Sequence, residues 1–381
     1  MPLTPLDPEC CELLRAVVRP KSDGEKELLA RFVSNVRDWE AAITAANEHG
    51  VIPMLYSRLT SNSVTVPAQV FERMRIENES NVFHSLANAA ELLEVLRDFD
   101  EQKIPVMPFK GIVLAQSMYG NLFSRPAGDL DLLISPRDLE RATAVLLKRG
   151  YDLSIDPAPL SDELYESHFE RRSDGMVIEL RWRLELTQPR FRRVLGLDWV
   201  WERRQVTTLA GARVPDLDPA TALLVLCMHG CKHAWTRLIW VSDVARLLER
   251  HANLDWHEVI REARRTGLWR SLALGVLLAR RIAAAPVPEF ALRRLESDRA
   301  ARSLASYFDE NLLRNRGSIP NGRIPYNIQL LGAEDRIRFL FSMNFLRPTD
   351  LDRAFIELPR YLEPIYYVIR PIRLLLDRSP R

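Results

Sequence analysis

The chain has 381 residues, 47% hydrophobic and 27% charged, a composition that excludes disordered and fibrous proteins and suffices for two or three domains. Lysine and arginine number 53 against 51 aspartates and glutamates, so the net charge of +2 provides no general field for gripping a nucleic-acid duplex. Four cysteines (Cys10, Cys11, Cys227 and Cys231) are too few for a disulfide scaffold and fit a reducing cytoplasm, which is the expected location.

Residues 1–19 carry Asp7, Glu9 and Glu12 and lack the basic start and apolar core of a signal peptide, which implies no export. No apolar stretch, Ala220 to Met228 included, approaches the roughly 20 residues that span a bilayer. Only six of the 53 basic residues are lysines, and that scarcity makes each one worth inspecting. Residues 1–100 read as an N-terminal helical region, with periodic runs such as Trp39 to His49 and Glu77 to Asp100 broken by Gly50, Pro53 and Pro67.

From residue 101 to 190 the texture changes. Ile104 to Phe109 is short and extended, Lys110-Gly111 breaks it, and Ile112 to Tyr119 reads as a helix, giving a strand-turn-helix unit. Asn121 to Gly128 is a loop rich in turn formers, and Asp129 to Ile134 reads as a buried strand. Ser135-Pro136 predicts a helix start with Ser135 as N-cap, and that helix ends at Gly150. Glu166 to Arg172 and Met176 to Leu184 flank Ser173-Asp174-Gly175, a hairpin turn. Residues 191–381 read as a C-terminal helical domain: Pro219 to Arg250 is helical with Asp218 as cap, and Trp256 to Gly267 and Leu268 to Ala285 follow.

The chemistry concentrates in the two strands. Alternation puts Asp129, Asp131 and Leu133 on one face and Leu130, Leu132 and Ile134 on the other. Two neighbouring carboxylates repel unless a cation such as Mg²⁺ lies between them, although two solvated aspartates at a strand end would look the same in sequence. Glu179 offers a third carboxylate on a nearby strand, sharing its face with Arg181 and Arg183. Three acids from two strands after a glycine-containing turn make the arrangement that two-metal phosphoryl-type chemistry requires.

The segments Phe109 to Gly120, Arg125 to Ile134 and Val177 to Leu184 resemble the DNA polymerase β-like nucleotidyltransferase superfamily, and within it a family of uncharacterised nucleotidyltransferases. The likeness runs weakly from about Trp39 to about residue 285, and Tyr366 to Arg373 is similar to members' tails. It implies an α+β fold, with a small mixed sheet between the N-terminal helical region and the C-terminal helical domain. It also implies transfer of a nucleoside monophosphate from a nucleoside triphosphate, ATP first among them, with pyrophosphate released. By that resemblance Asp129, Asp131 and Glu179 are the metal-binding and catalytic acids, holding two Mg²⁺ ions or Mn²⁺ in their place.

The superfamily's usual Gly-Ser or Gly-Gly turn is Lys110-Gly111 here, so a serine hydroxyl contact to phosphate is missing. Gly111 can still bring backbone N–H groups to a triphosphate, while Lys110 either adds positive charge or points to solvent. Arg125 either reaches a phosphate oxygen or pairs with one of the two aspartates. Lys232 is the second expected nucleotide contact, and Asp243, eleven residues on, shares its face if the helix is unbroken. Cys227, His229, Cys231 and His233 suggest zinc, but on one helix the two pairs lie roughly 200° apart, which argues against a shared ion. The acceptor is expected to be a small molecule or a protein. An RNA acceptor is less favoured, and a catalytically silent binding protein is the remaining alternative. The tail from Tyr361 to Arg378, with three prolines, is expected to pack on the helical domain rather than lie on a membrane.

Overall fold

The computed structural model describes residues 6–21, 23–155, 166–184, 197–313, 323–330 and 358–376, with Pro348, Asp352, Phe355 and Ile356. Five helices come first: α1 (Pro8–Val18), α2 (Glu25–Asn35), α3 (Trp39–Glu48), α4 (Ile52–Ser61) and the 34-residue α5 (Ala68–Glu101). Asp7 and Asp38 cap α1 and α3 with their carboxylates, satisfying backbone N–H groups that a helix start leaves open. Then come β1 (Val106–Pro108), the short α6 (Gly111–Leu114) running into a π-turn at Ala115–Tyr119, β2 (Leu130–Ile134) and α7 (Leu139–Lys148). β3 (Tyr151–Ile155), β4 (Glu166–Arg171) and β5 (Met176–Arg181) complete the main sheet.

α8 (Leu197–Glu202) precedes a separate hairpin of β6 (Gln205–Leu209) and β7 (Ala212–Asp216). The remaining elements are helical: α9 (Pro219–Lys232), α10 (Leu238–Arg250), α11 (Trp256–Thr266), α12 (Trp269–Ala283), α13 (Glu289–Glu296), α14 (Arg299–Asn311), α15 (Arg323–Leu330) and α16 (Tyr366–Leu376).

The main sheet has the order β1-β2-β5-β4-β3 and is mixed, as expected for the α+β class: β2 and β5 run parallel and the other neighbours antiparallel. Both of its faces are covered. Leu130, Leu132 and Ile134 of β2 join Ile178 and Leu180 of β5 in a core with Leu92, Val95 and Phe99 of α5 and Leu146 of α7. Leu133 and Met107 point the other way, into a larger core that α1–α4 share with α9–α14. Asp131 alternates with Leu132 and so lies on the face turned to the C-terminal helices.

Three local readings are corrected. Ser135 makes no side-chain cap; Pro136–Asp138 forms a 3₁₀ turn ahead of α7. The segment from 219 to 250 is two helices, because Ala234 and Trp235 take φ of 51° and 50° and turn the chain after Lys232. Gly230 makes that turn possible: a Cβ there would stand 2.5 Å from the Trp235 ring. Asp243 consequently shares no continuous helix face with Lys232, since α10 starts at Leu238. The Asp218 cap of α9 and the turn at Ser173–Gly175 form as read from sequence.

α16 packs against α15 in the described part of the tail, and Arg370 and Arg373 pair with the buried Asp352. No helix among the described residues is long and apolar enough to cross a membrane.

Candidate active site

The parallel pairing of β2 with β5 puts Asp131 directly opposite Glu179, and Leu130 opposite Ile178. Asp129 precedes β2 on the same side, and oxygens of Asp129, Asp131 and Glu179 all lie within 4.8 Å of one another. The loop leading to Asp129 is held from α5, where Asn81 donates to the Phe123 carbonyl (2.8 Å) and the buried Asn88 to that of Ala127 (2.7 Å). Gly111 closes the arrangement from β1. Its φ is +58°, and a Cβ on it would stand 3.1 Å from the Asp129 carbonyl oxygen, so glycine is what lets the turn approach the strand.

The three acids are unequally neutralised. Lys110 Nζ and Arg181 Nε each stand 3.2 Å from Asp131 Oδ1, and Arg181 also pairs with Glu179 and, at 3.0 Å, with Glu166. Burial favours the protonated form of Asp131, but the two cations outweigh it and hold the carboxyl below its ordinary range. Asp129 has no hydrogen bond or ion pair among the described residues. Burial, followed by the Asp131 and Glu179 charges, pushes it up to about 6.

This donor set fits a hard divalent cation, which takes carboxylate oxygens and would supply the positive charge that Asp129 lacks. Lys110 thus lies half-buried against an acid, and Arg181 neutralises the cluster.

Arg125 pairs with neither Asp129 nor Asp131, the ion-pair alternative read from sequence. Its Nε lies 2.9 and 3.1 Å from the two oxygens of Asp243 on α10, and its Nη1 donates to the Pro126 carbonyl at 3.0 Å. It still lines a cleft of about 550 Å³ that includes Gly128, immediately before Asp129. Lys232, at the end of α9, is close enough to feel Arg181, Lys110, Glu166 and Glu179; burial, then the Arg181 charge, lowers its pKa to about 8.

Cys227 and Cys231 are buried free thiols on one side of α9. On the other side the His229 and His233 rings lie 4.6 Å apart and pack on Trp240 at 5.4 and 5.1 Å. Among the described residues these four form no metal-ligand cluster.

Two participants went unread in the sequence. Glu166 and His168 stand opposite Arg181 and Glu179 on β4, and the His168 nitrogens lie 3.4 Å from Glu166 and 3.7 Å from Glu179. The alternation in Glu166-Ser167-His168-Phe169 carries the signal, since Ser167 and Phe169 are the buried pair.

A family profile described as "Uncharacterised nucleotidyltransferase" matches residues 35–284. Among solved structures, the lincosamide antibiotic adenylyltransferase LnuA, crystallised with lincomycin, is similar at 16% identity, covering 42% of this chain and 94% of its own with a TM-score of 0.32. The solution structure of the antibiotic-resistance factor ANT(2'')-Ia is similar at 13% identity, covering 48% of this chain and 94% of its own, with a TM-score of 0.35. No curated protein gives a significant match.

Proposed function

The chain belongs to the family of uncharacterised nucleotidyltransferases and is a transferase, and from that premise we propose that it moves a nucleoside monophosphate from a nucleoside triphosphate to an acceptor hydroxyl or phosphate with the aid of divalent metal. The observation that carries the reading is the meeting of Asp129, Asp131 and Glu179 within 4.8 Å on a parallel strand pair. In the reaction the acceptor oxygen bonds to the α-phosphorus, the α–β bridging bond breaks, and the acceptor's proton and pyrophosphate are lost. Mg²⁺ or Mn²⁺ bound by the three carboxylates would lower the acceptor oxygen's pKa and offset charge on the phosphates.

The chain's own residues divide the remaining work. Lys110 and Arg181 keep Asp131 ionised at neutral pH. Gly111 holds the turn against the Asp129 backbone. Lys110, Gly111, Arg125 and Lys232 are the proposed nucleotide contacts, and ATP is the first donor to try.

The test is pyrophosphate release with Mg²⁺ and each triphosphate in turn, with labelled nucleotide chased into metabolite, protein and RNA pools. Asp129→Asn and Asp131→Asn are each expected to abolish transfer while the circular dichroism spectrum is kept. Persisting activity in both variants would overturn the site, and a wild-type protein inert with every triphosphate would leave a binding protein of the same fold.

A further inference from the structure

We propose that Glu166 is a positioning residue for the three acids: it draws the Arg181 guanidinium partly off Asp131 and Glu179 and so leaves those carboxylates open to a divalent ion. This rests on the nucleotidyl-transfer reading above. Arg181 ends β5 and Glu166 begins β4, and the antiparallel register sets them directly across from each other. Two residues along, His168 faces Glu179 in the same way. Ser167 and Phe169 are buried on the other side of β4, so alternation sends Glu166 and His168 to the face that carries the acids.

The guanidinium serves three carboxylates at once. Its Nε lies 3.2 Å from Asp131 Oδ1 and its Nη1 3.0 Å from Glu166 Oε2, while Nη2 donates to Glu179. Each nitrogen therefore faces a different acid. The contact with Asp131 falls on the oxygen that Lys110 also approaches, so Arg181 takes up no second oxygen of that carboxylate. The Phe109 ring lies 6.0 Å from the guanidinium carbon and 5.0 Å from Lys110 Nζ, bounding both cations on one side. On β4 the imidazole of His168 spaces the two glutamates, with Nε2 3.4 Å from Glu166 Oε1 and Nδ1 3.7 Å from Glu179 Oε1.

A guanidinium resting on a metal-binding carboxylate competes with the ion for the same oxygens. Its planar fork favours two parallel bonds to one acid. With Glu166 gone, Nη1 would turn to the acids that Arg181 already touches, and a fork closed on Asp131 or Glu179 would cover both oxygens of a ligand. Glu166 holds the third nitrogen and keeps each of those contacts single. Its action on the ion thus runs through Arg181.

The experiment is Mn²⁺ titration of the full-length protein without nucleotide, read from the electron paramagnetic resonance signal of the free ion and so independent of turnover. Glu166→Gln should weaken Mn²⁺ binding about tenfold or more, the usual loss when a partner of a metal ligand is removed, with the circular dichroism spectrum unchanged. Glu166→Asp keeps the charge but is one methylene too short for the Nη1 contact, and should still weaken binding about threefold or more. In an Arg181→Gln background, Glu166→Gln should change the Mn²⁺ dissociation constant by less than about twofold. Glu166→Asp decides the matter by itself should the Arg181 variant not fold. Unchanged or tighter binding in Glu166→Gln, or wild-type affinity in Glu166→Asp, would overturn the proposal. So would a full loss repeated in the Arg181→Gln background, which would make Glu166 act on the ion directly. A wild-type protein that binds no Mn²⁺, or releases no pyrophosphate with any triphosphate, defeats the underlying reading instead.

Discussion

Arg125 and Asp243 form a buried ion pair across 118 residues, the guanidinium Nε lying 2.9 and 3.1 Å from the two carboxylate oxygens while the Tyr119 hydroxyl donates to the same carboxylate at 2.8 Å. Asp243 is 1% and Arg125 8% exposed. The pair ties the loop that presents Asp129 to α10, and Tyr119 adds the end of the turn that begins at Gly111. Asp243→Ala leaves a buried guanidinium without its counter-charge, for which about 3–5 kcal/mol of lost stability is expected. Urea unfolding measures it. Arg125→Met combined with Asp243→Leu should regain at least half of that loss; a double variant no better than the single one would contradict the uncompensated-charge account.

The unequal neutralisation of the acids separates Asp129 from Asp131. A carboxyl raised from 3.8 to about 6 is held partly against its charge, so its contribution favours the folded state when it is neutral. That contribution is complete below about 4 and is lost as pH rises through about 6. Asp129→Asn in metal-free protein should therefore be more thermostable than wild type at pH 8, by on the order of 2–5 °C, with the gap narrowing as pH falls through about 6. Asp131→Asn should be less stable at pH 8, because Lys110 and Arg181 lose their shared partner. Equal shifts in the two variants would refute the asymmetry.

The same asymmetry bears on metal. Mg²⁺ binding only to the folded protein with Asp129 ionised should raise the wild-type melting temperature at pH 8, and the rise should shrink below about pH 6 as Asp129 takes up a proton. Chelation with EDTA should return the curve to the metal-free one. A Mg²⁺ shift that is the same at pH 5 and pH 8, or that survives Asp129→Asn, would place the ion elsewhere.

Much of this frame was legible in the sequence because it rests on short-range rules. The alternation in Leu130-Asp-Leu-Leu-Ile134 and the Ser173-Asp174-Gly175 turn indicated β2 and the β4–β5 hairpin, and the parallel register then brought residue 179 opposite 131. What depended on tertiary packing was not legible. Arg125 pairs with Asp243 rather than a sequence neighbour because α10 turns back toward the loop after the break at Ala234 and Trp235, where the indole lies over Gly230. Lys110, in the turn after β1, and Arg181, at the end of β5, meet at one oxygen of Asp131, which no local spacing encodes.

Gly111 offers a test of how tightly the turn must approach the strand. Gly111→Ala should cost about 1–2 kcal/mol for a φ of +58° in an L-residue, plus whatever shift relieves a Cβ 3.1 Å from the Asp129 carbonyl. Because that carbonyl belongs to a proposed catalytic residue, kcat should fall by more than the stability change accounts for, at least tenfold in a protein still fully folded at 25 °C. The denaturation midpoint and the pyrophosphate assay, measured on the same preparation, decide between them. A folded variant with wild-type kcat would mean that the turn does not position Asp129.

The proposed nucleotide contact at Lys232 predicts a pH signature for triphosphate binding. Burial and the Arg181 charge lower its pKa to about 8, and only the ammonium form attracts phosphate, so affinity should decline as pH rises through that value. At pH 9, one unit above, about a tenth of the free protein carries the charge, which bounds the loss attributable to this side chain at about tenfold. Arg stays protonated throughout this range, and Lys232→Arg should therefore flatten the pH dependence of the ATP dissociation constant between 7 and 9. The measurement is titration of a fluorescent ATP analogue in the presence of Mg²⁺. Equal slopes in Lys232→Arg and wild type would remove Lys232 from the nucleotide contacts, whereas a slope present only in wild type identifies the ammonium beside Arg181 as the group that reads the triphosphate.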